Sequence, residues 1–366
     1  MKKIRFQILI PAAVLLLLAV GCFVTSRVLA GRLDSQRAAE RWAGEGKLPF
    51  AQLSCFMGPG DGITPGSVYA FRQTLTNTLA ESDLDTSDPA RLFVDAFSAR
   101  GSAKVSGDHG SADAAVTAVG GDYFLFHPLR LLSGSYIRED DLSDDRVVLD
   151  RELAWRLFGG EDLEGMTVTI GADPTPYVVA GVVERERDFA TRRARGEGMD
   201  LYMSFRAYSA LTGSSAAGGQ DSNASGALGV DCYELVMPQP VKGYAEGIVK
   251  EQFKLTEGEI LNNTERYSLS SLWQILRAFG SRSMHLTGVV YPYWENAARC
   301  LGDWCTLFFA LALVFGALPV LMGLLLGLGS LIRLKDYLAK KLPALASDAI
   351  ERSRRRRYRG SHLGRS

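Results

Sequence analysis

Histidine and cysteine are scarce in this chain of 366 residues, and each scarcity removes a class of function. Four histidines, at 109, 127, 285 and 362, fall into no HExxH or comparable metal spacing. Five cysteines form neither a CxxC pattern nor a disulfide framework. Cys22 lies in an apolar run, and Cys300 and Cys305 precede another. Cys55 and Cys232 alone stand well inside the polar middle, where one bridge or two buried thiols are both open readings. There is no GxxxxGK[ST] phosphate loop; Gly44-Glu45-Gly46-Lys47 has the wrong spacing to cradle a triphosphate. No GxSxG nucleophile elbow occurs. These absences argue against an enzyme and against any cofactor or metal.

Net charge is also lacking, but the zero hides an asymmetry. The last 34 residues, Arg333 to Ser366, carry 11 Lys and Arg against three acids. Lys2, Lys3 and Arg5 open the chain, so residues 6–332 carry net −11. Between these basic ends lie two long apolar runs. The first spans Phe6–Thr25; the second, Thr306–Ile332, has no charged residue. About 20 apolar residues cross a hydrocarbon core of roughly 30 Å, so each run is read as one membrane helix. Basic flanks stay in the cytoplasm. The expected topology is therefore two-pass in the plasma membrane, with both termini cytoplasmic and an acidic domain outside. Its parts are a cytoplasmic start at 1–5, helices at 6–28 and 304–332, an extracytoplasmic domain at 29–303, and a basic cytoplasmic tail at 333–366. The arginine-rich tail suits anionic lipid, and nucleic acid is not an expected partner. For the first run a cleavable signal peptide and a lipoprotein box at Leu18–Cys22 remain rival readings to an uncleaved anchor.

The middle reads as α+β. Residues 32–47 suggest a helix leaving the membrane. Val68, Phe71, Leu75 and Leu79 recur at helical spacing within Ser67–Leu84. Strands are expected at Arg91–Ala99, Ala114–Val119 and Cys232–Met237, and a helix at Tyr244–Phe253. The Gly/Ser/Ala-rich stretch 213–229 reads as a disordered surface loop. Tyr291, Tyr293, Trp294 and Trp304 are expected to form an interfacial aromatic belt.

Val119 to Val183 is the densest stretch. An aromatic turn, Asp122–Phe126, precedes Arg130–Gly134, which ends on glycine. A short strand, Arg146–Leu149, leads to Asp150 as N-cap of a helix over Arg151–Phe158. Gly159-Gly160 stops that helix. Strands Met166–Ile170 and Tyr177–Val183 follow. Phe158 is expected to be buried against the strands Val147–Leu149 and Val179–Val183. His127 suits core or turn packing. The acids Glu139, Asp140, Asp141, Asp144 and Asp145 suit a solvated loop rather than a cation site.

The order of these elements carries a resemblance. Asp122-Tyr123-Phe124 follows a strand; Gly134-Ser135 and Glu139-Asp140-Asp141 come next. Then follow Val147-Val148-Leu149, Ala154 and Leu157-Phe158-Gly159, with Gly165, Val168 and Val179-Ala180-Gly181-Val182-Val183 closing the series. The stretch resembles the periplasmic core domain of MacB-type ABC transporter permeases, within the wider FtsX-like group. The resemblance implies an α+β extracytoplasmic domain flanked by transmembrane helices. It also implies that ATPase-driven helix motion reaches an extracytoplasmic partner. Such permeases carry further helices after the second, which are expected here from a partner: a separate ABC ATPase, another permease chain, or both. The expected function is thus a non-enzymatic subunit or truncated relative of such a permease; a membrane-anchored sensor or binding protein is the alternative. Ala312, Gly316, Gly323 and Gly327 fall near one face of the second span. Small residues let helix backbones approach in lipid, so this stripe is the candidate contact for an oligomer.

Overall fold

The computed structural model describes residues 2–44, 48–81, 92–171, 175–216, 228–278 and 290–362. They divide into two compact units, one of Met1–Thr25 with Phe308–Ser366 and one of Ser26–Leu307.

The first unit is helical. It holds most of α1 (Lys2–Ala30) and most of α10 (Tyr293–His362). Both contain a stretch long and apolar enough to cross a membrane, within Ile10–Ala30 and within Tyr293–Pro343. Helix α10 continues through the basic segment that follows the apolar run.

The second unit is built on a mixed sheet of ten strands among the described residues. Its strands are β1 (Phe50–Phe56), β2 (Val94–Gly107), β3 (Gly110–Gly121), β4 (Arg130–Gly134) and β5 (Arg146–Asp150). They continue with β6 (Thr167–Ile170), β7 (Pro176–Glu184), β8 (Met199–Ser204), β9 (Cys232–Pro238) and β10 (Glu259–Asn262). The spatial order is β10-β1-β9-β2-β3-β8-β5-β7-β4, with β6 pairing β2 and β7. β3 runs parallel to β8 and β5 parallel to β7; the other pairs are antiparallel.

Side chains alternate across a strand, and both faces of this sheet are covered. Ala51, Leu53 and Cys55 of β1 enter one core with Tyr233, Leu235 and Met237 of β9. Helices α3 (Pro65–Glu81), α5 (Arg151–Phe158), α7 (Phe205–Ala216) and α8 (Tyr244–Phe253) pack on that face. Val68, Phe71, Leu75 and Leu79 of α3 are all buried there, at the helical spacing read from sequence. Burial of each is worth about 1.5–3 kcal/mol. The opposite core holds Phe56, Ala96, Cys232 and Val236 beneath α2 (Ala38–Ala43), α4 (Tyr123–Phe126) and Trp294 of α10.

The register settles the cysteine question. Cys55 pairs with Tyr233, and Phe56 with Cys232, so the two thiols point to opposite faces. Both are buried and free, and burial pushes both thiols up from their ordinary value.

Helix α5 has the limits expected. The Asp150 carboxylate accepts from the Leu153 N–H at 2.7 Å, and Gly159 closes the helix with φ 76°. Gly134 is needed for a different reason: φ is 70°, and a Cβ there would overlap the Ala180 carbonyl oxygen.

Four expectations need correction. Residues 32–47 do not form one helix; a 3-10 turn (Asp34–Gln36) and the short α2 replace it. There Gln52 accepts from the Ala38 N–H and donates to the Ser35 carbonyl, which suits a broken backbone path. Phe158 is only partly buried; Leu153, Ala154 and Leu157 fill the place against the strands, because they occupy the inner face of so short a helix. Residues 213–216 belong to α7 rather than to a loop, while 217–227 lie outside the described residues. Tyr291, Tyr293 and Trp294 pack into the α+β unit instead of forming a belt; Trp304 alone of the four is exposed.

Candidate functional site

The short polar segment between β10 and α9 (Leu269–Ala278) meets the start of α10, and charge concentrates there. Glu295 is 1% exposed on the first turn of α10. Its carboxylate accepts two bonds from the Arg266 guanidinium, at 2.6 and 2.7 Å, in a bidentate pair. Arg299, one turn further on, donates to the same carboxylate at 2.7 Å and to Glu259 of β10 at 2.7 Å. Its guanidinium also lies 3.8 Å from the centroid of the Tyr291 ring, whose hydroxyl donates to Glu259 at 2.6 Å. Burial works to lower the Arg266 pKa, but the Glu295 charge and hydrogen bonds overcome it and hold the guanidinium well above its ordinary value.

The root of α1 joins this network. Arg27 donates to the Tyr267 carbonyl at 2.9 Å, and the Tyr267 hydroxyl donates to the Ala298 carbonyl at 3.1 Å. Ser26 and Cys305 exchange bonds: the serine hydroxyl to the Cys305 carbonyl at 2.9 Å, and the thiol to the Ser26 carbonyl at 3.4 Å. These bonds tie the roots of both long helices to each other and to the edge of the sheet. Displacement of one root therefore loads the other and the strand β10 through directional, partly desolvated bonds.

A second polar cluster lies under α4. His127 is fully buried, its Nε2 2.5 Å from Glu234 Oε2, with its ring against Tyr123 and Trp294. This agrees with a packing role and adds an acidic partner. Arg195 of α6 (Phe189–Arg195) lies near, bonded to Asp200 at 2.7 Å and to the Tyr202 hydroxyl at 2.9 Å. Its guanidinium sits over the Tyr293 ring at 4.4 Å. Burial raises the Glu186 carboxyl, against the pull of Arg195 and His127. It raises the Asp200 carboxyl from 3.8 to about 6, again against Arg195. The folded state thus holds the Asp200 proton more tightly than the unfolded chain. Stability from this group is fully present below pH 3.8 and is lost as pH rises to about 6. The stability of the wild type relative to Asp200→Asn should accordingly fall across that window and stay level above pH ~7. Denaturant titrations at a series of pH values test this; a flat difference would mean that Asp200 titrates normally.

Single residues of these networks were legible as oddities. Glu234 interrupts the apolar strand Cys-Tyr-Glu-Leu-Val, and Glu295 follows Tyr-Trp. Their partners were not, because Arg266 and His127 arrive from elsewhere in the fold.

The residues singled out from sequence are dispersed. Gly316 faces the Ala19 side chain of α1, and Ala312 is half-buried. Gly323 and Gly327 have open space where a Cβ would stand. The acids of the 139–145 loop do not converge. Glu139 pairs with Arg72, Asp140 with Arg138, Asp144 with Arg206, and Asp145 accepts from Ser143. Among the described residues no group of three or more His, Cys, Asp and Glu could hold a metal ion. His285 lies outside them. A cleft of about 460 Å³ opens at the aromatic turn, lined by Asp122, Phe124, Tyr136 and Arg138 among others.

The family described as MacB-like periplasmic core domain matches residues 35–228. Among solved structures, the chain is similar to the periplasmic region of MacB from Actinobacillus actinomycetemcomitans, with 18% identity and a TM-score of 0.39. That match covers 64% of this chain and 94% of the other. It is also similar to the extracellular domain of the noncanonic ABC-type transporter YknZ from Gram-positive bacteria, with 15% identity and a TM-score of 0.36. That match covers 58% of this chain and all of the other. No curated protein matches the sequence.

Proposed function

The chain belongs to the MacB-like periplasmic core domain family, that of ABC transporter permease-type proteins, and from that membership we propose that it works as a non-enzymatic membrane subunit. In this reading α1 and α10 span the membrane with both termini in the cytoplasm, and the α+β unit lies outside. Helix motion driven by a separate ABC ATPase passes into the sheet through the helix roots. The observation that supports this most is the shared root: Ser26 with Cys305, and Glu295 with Arg266 and Arg299, leave neither helix free to shift alone. A conduit needs more polar lining than two apolar helices supply, so transport in this reading requires helices beyond α1 and α10.

Copurification from mild detergent tests the assignment. An ABC ATPase should accompany the full chain, and its hydrolysis rate should change when the chain is added back. An unaltered rate in a reconstituted mixture would count against coupling. Topology has its own test. With Ser215→Cys or Gly360→Cys on intact cells, an impermeant maleimide should label position 215 and spare 360; the reverse pattern would overturn the orientation.

The Ala312, Gly316, Gly323, Gly327 face is the proposed contact with a partner helix, homo- or hetero-oligomeric. Gly323 and Gly327 are the open part of it. Replacing both by Ile should preserve membrane insertion while abolishing a crosslinked oligomer, because branched side chains stop backbones from touching. Undiminished crosslinking would assign assembly to the outer domain.

A further inference from the structure

Several large apolar side chains of the α+β unit are left exposed close to the root of α10. Helix α9 buries Leu272 but exposes Leu269 (51%) and Trp273 (45%), one turn apart on its outer face. Arg277 follows at the same spacing, its guanidinium 5.7 Å from the Trp273 ring. Around α10, Phe189 is 54% exposed and Trp304 42% exposed, and their rings meet edge to face at 6.3 Å. A chain folding in water alone gains nothing from leaving two tryptophans, a leucine and a phenylalanine uncovered around one helix.

The level at which these groups sit identifies what covers them. Ile275 of α9 and Tyr267 lie within 4.0 Å of where a Gly302 Cβ would stand. Phe189 meets Trp304, and Ser26 bonds to Cys305. Gly302 and Trp304 are about 200° apart around a helix, so α9 and α6 touch nearly opposite sides of α10. The last charge before the apolar run of α10 is Asp303, and the run from Thr306 starts about one turn from all these contacts. The exposed rings therefore stand where a spanning α10 enters lipid. The charge fits too. Exposed Arg192, Arg193 and Arg277 outnumber the acids Asp188 and Asp303 there, and the Asp188 carboxylate is occupied by the Thr191 N–H.

We propose that α9 and α6 form two feet that rest in the outer leaflet, with Leu269, Trp273, Phe189 and Trp304 at the headgroup–acyl boundary and Arg192, Arg193 and Arg277 on anionic headgroups. This rests on the reading that α1 and α10 span the membrane. Tryptophan prefers that depth, and an apolar face bordered by arginine binds anionic lipid surfaces. Seated this way, the α+β unit is held to the bilayer by more than its two helices, and lipid composition becomes an input to its position.

Spin labels at single cysteines test it in the full chain, with Cys22, Cys300 and Cys305 replaced by serine. The bilayers are nanodiscs of phosphatidylcholine with or without phosphatidylglycerol. Labels on Leu269→Cys, Trp273→Cys and Phe189→Cys should be relaxed by oxygen more than by a water-soluble nickel chelate. The nickel accessibility should fall further when phosphatidylglycerol is present, and Arg192→Gln with Arg193→Gln should remove that last difference at position 189. A label on Leu142→Cys, in the fully exposed acidic loop, should stay accessible to nickel. A label on Val314→Cys reports on the spanning reading by itself. Nickel access at 314 would overturn that reading; lipid exposure at 314 with nickel access at 269, 273 and 189 would overturn the feet alone. Low accessibility to both reagents at the three foot positions would overturn lipid in favour of a protein contact.

Discussion

Glu295→Ala should lower the unfolding free energy of the α+β unit by about 3–5 kcal/mol, because it leaves one arginine buried without its anion and deprives a second. The Arg266 side chain is 13% exposed and Arg299 is 30% exposed; Glu295 serves both. Neither cation can discharge, and neither can reach water without pulling the start of α10 away from β10. Glu259→Ala is the matched control. Its carboxylate also binds Arg299, but it is 43% exposed and water can replace it, so about 1 kcal/mol or less is expected. The purified full chain in detergent would be compared by thermal midpoint and by proteolysis near the roots. If Glu295→Ala melts like Glu259→Ala, the root is hydrated and cannot carry force as a stiff joint. A loss confined to the start of α10, seen as new cleavage around residues 290–300, would place the damage where helix motion is proposed to enter the sheet.

Asp150→Ala should cost a similar amount, about 3–5 kcal/mol, by removing one carboxylate with three duties. One oxygen caps α5 through the Leu153 N–H; the other accepts from the Asp200 N–H at 3.0 Å and from Arg185 at 2.6 Å. Asp150 is fully buried, so no solvent can fill the gap. The cap alone is worth about 1 kcal/mol. The unpaired Asp200 N–H adds about 1–3 kcal/mol. Asp150→Asn separates the parts. Its side-chain oxygen can still cap α5, but the charge opposite Arg185 is gone, so it should retain about 1 kcal/mol more stability than the alanine variant. Equal losses for Asn and Ala, measured as denaturant midpoints with unchanged slope, would assign the whole effect to the Arg185 pair. A negligible loss for both would contradict the burial of this corner.

Residue patterns within about ten positions of one another determined a large part of this protein. The two apolar runs, the spacing of Val68, Phe71, Leu75 and Leu79, the limits of α5 and α8, and the family motif all depend on local periodicity, caps and turns. Those signals reside in neighbouring residues, and the structure keeps them. Tertiary structure decided the rest. It showed that Cys55 and Cys232 face opposite ways, because register is a property of two strands and a one-residue offset reverses the face. It took Tyr293 and Trp294 from an expected membrane belt into a core, because helix α10 begins inside the α+β unit rather than at the membrane. It replaced Phe158 by Leu153 and Leu157 at the sheet, because the rotation of an eight-residue helix is set by its neighbours. Above all it joined Arg266 to Glu295, 29 residues apart, and Ser26 to Cys305, 279 residues apart. None of these residues has a neighbourhood that points to its partner. The bonds arise only because the sheet brings its edge, and with it the roots of both long helices, to one place.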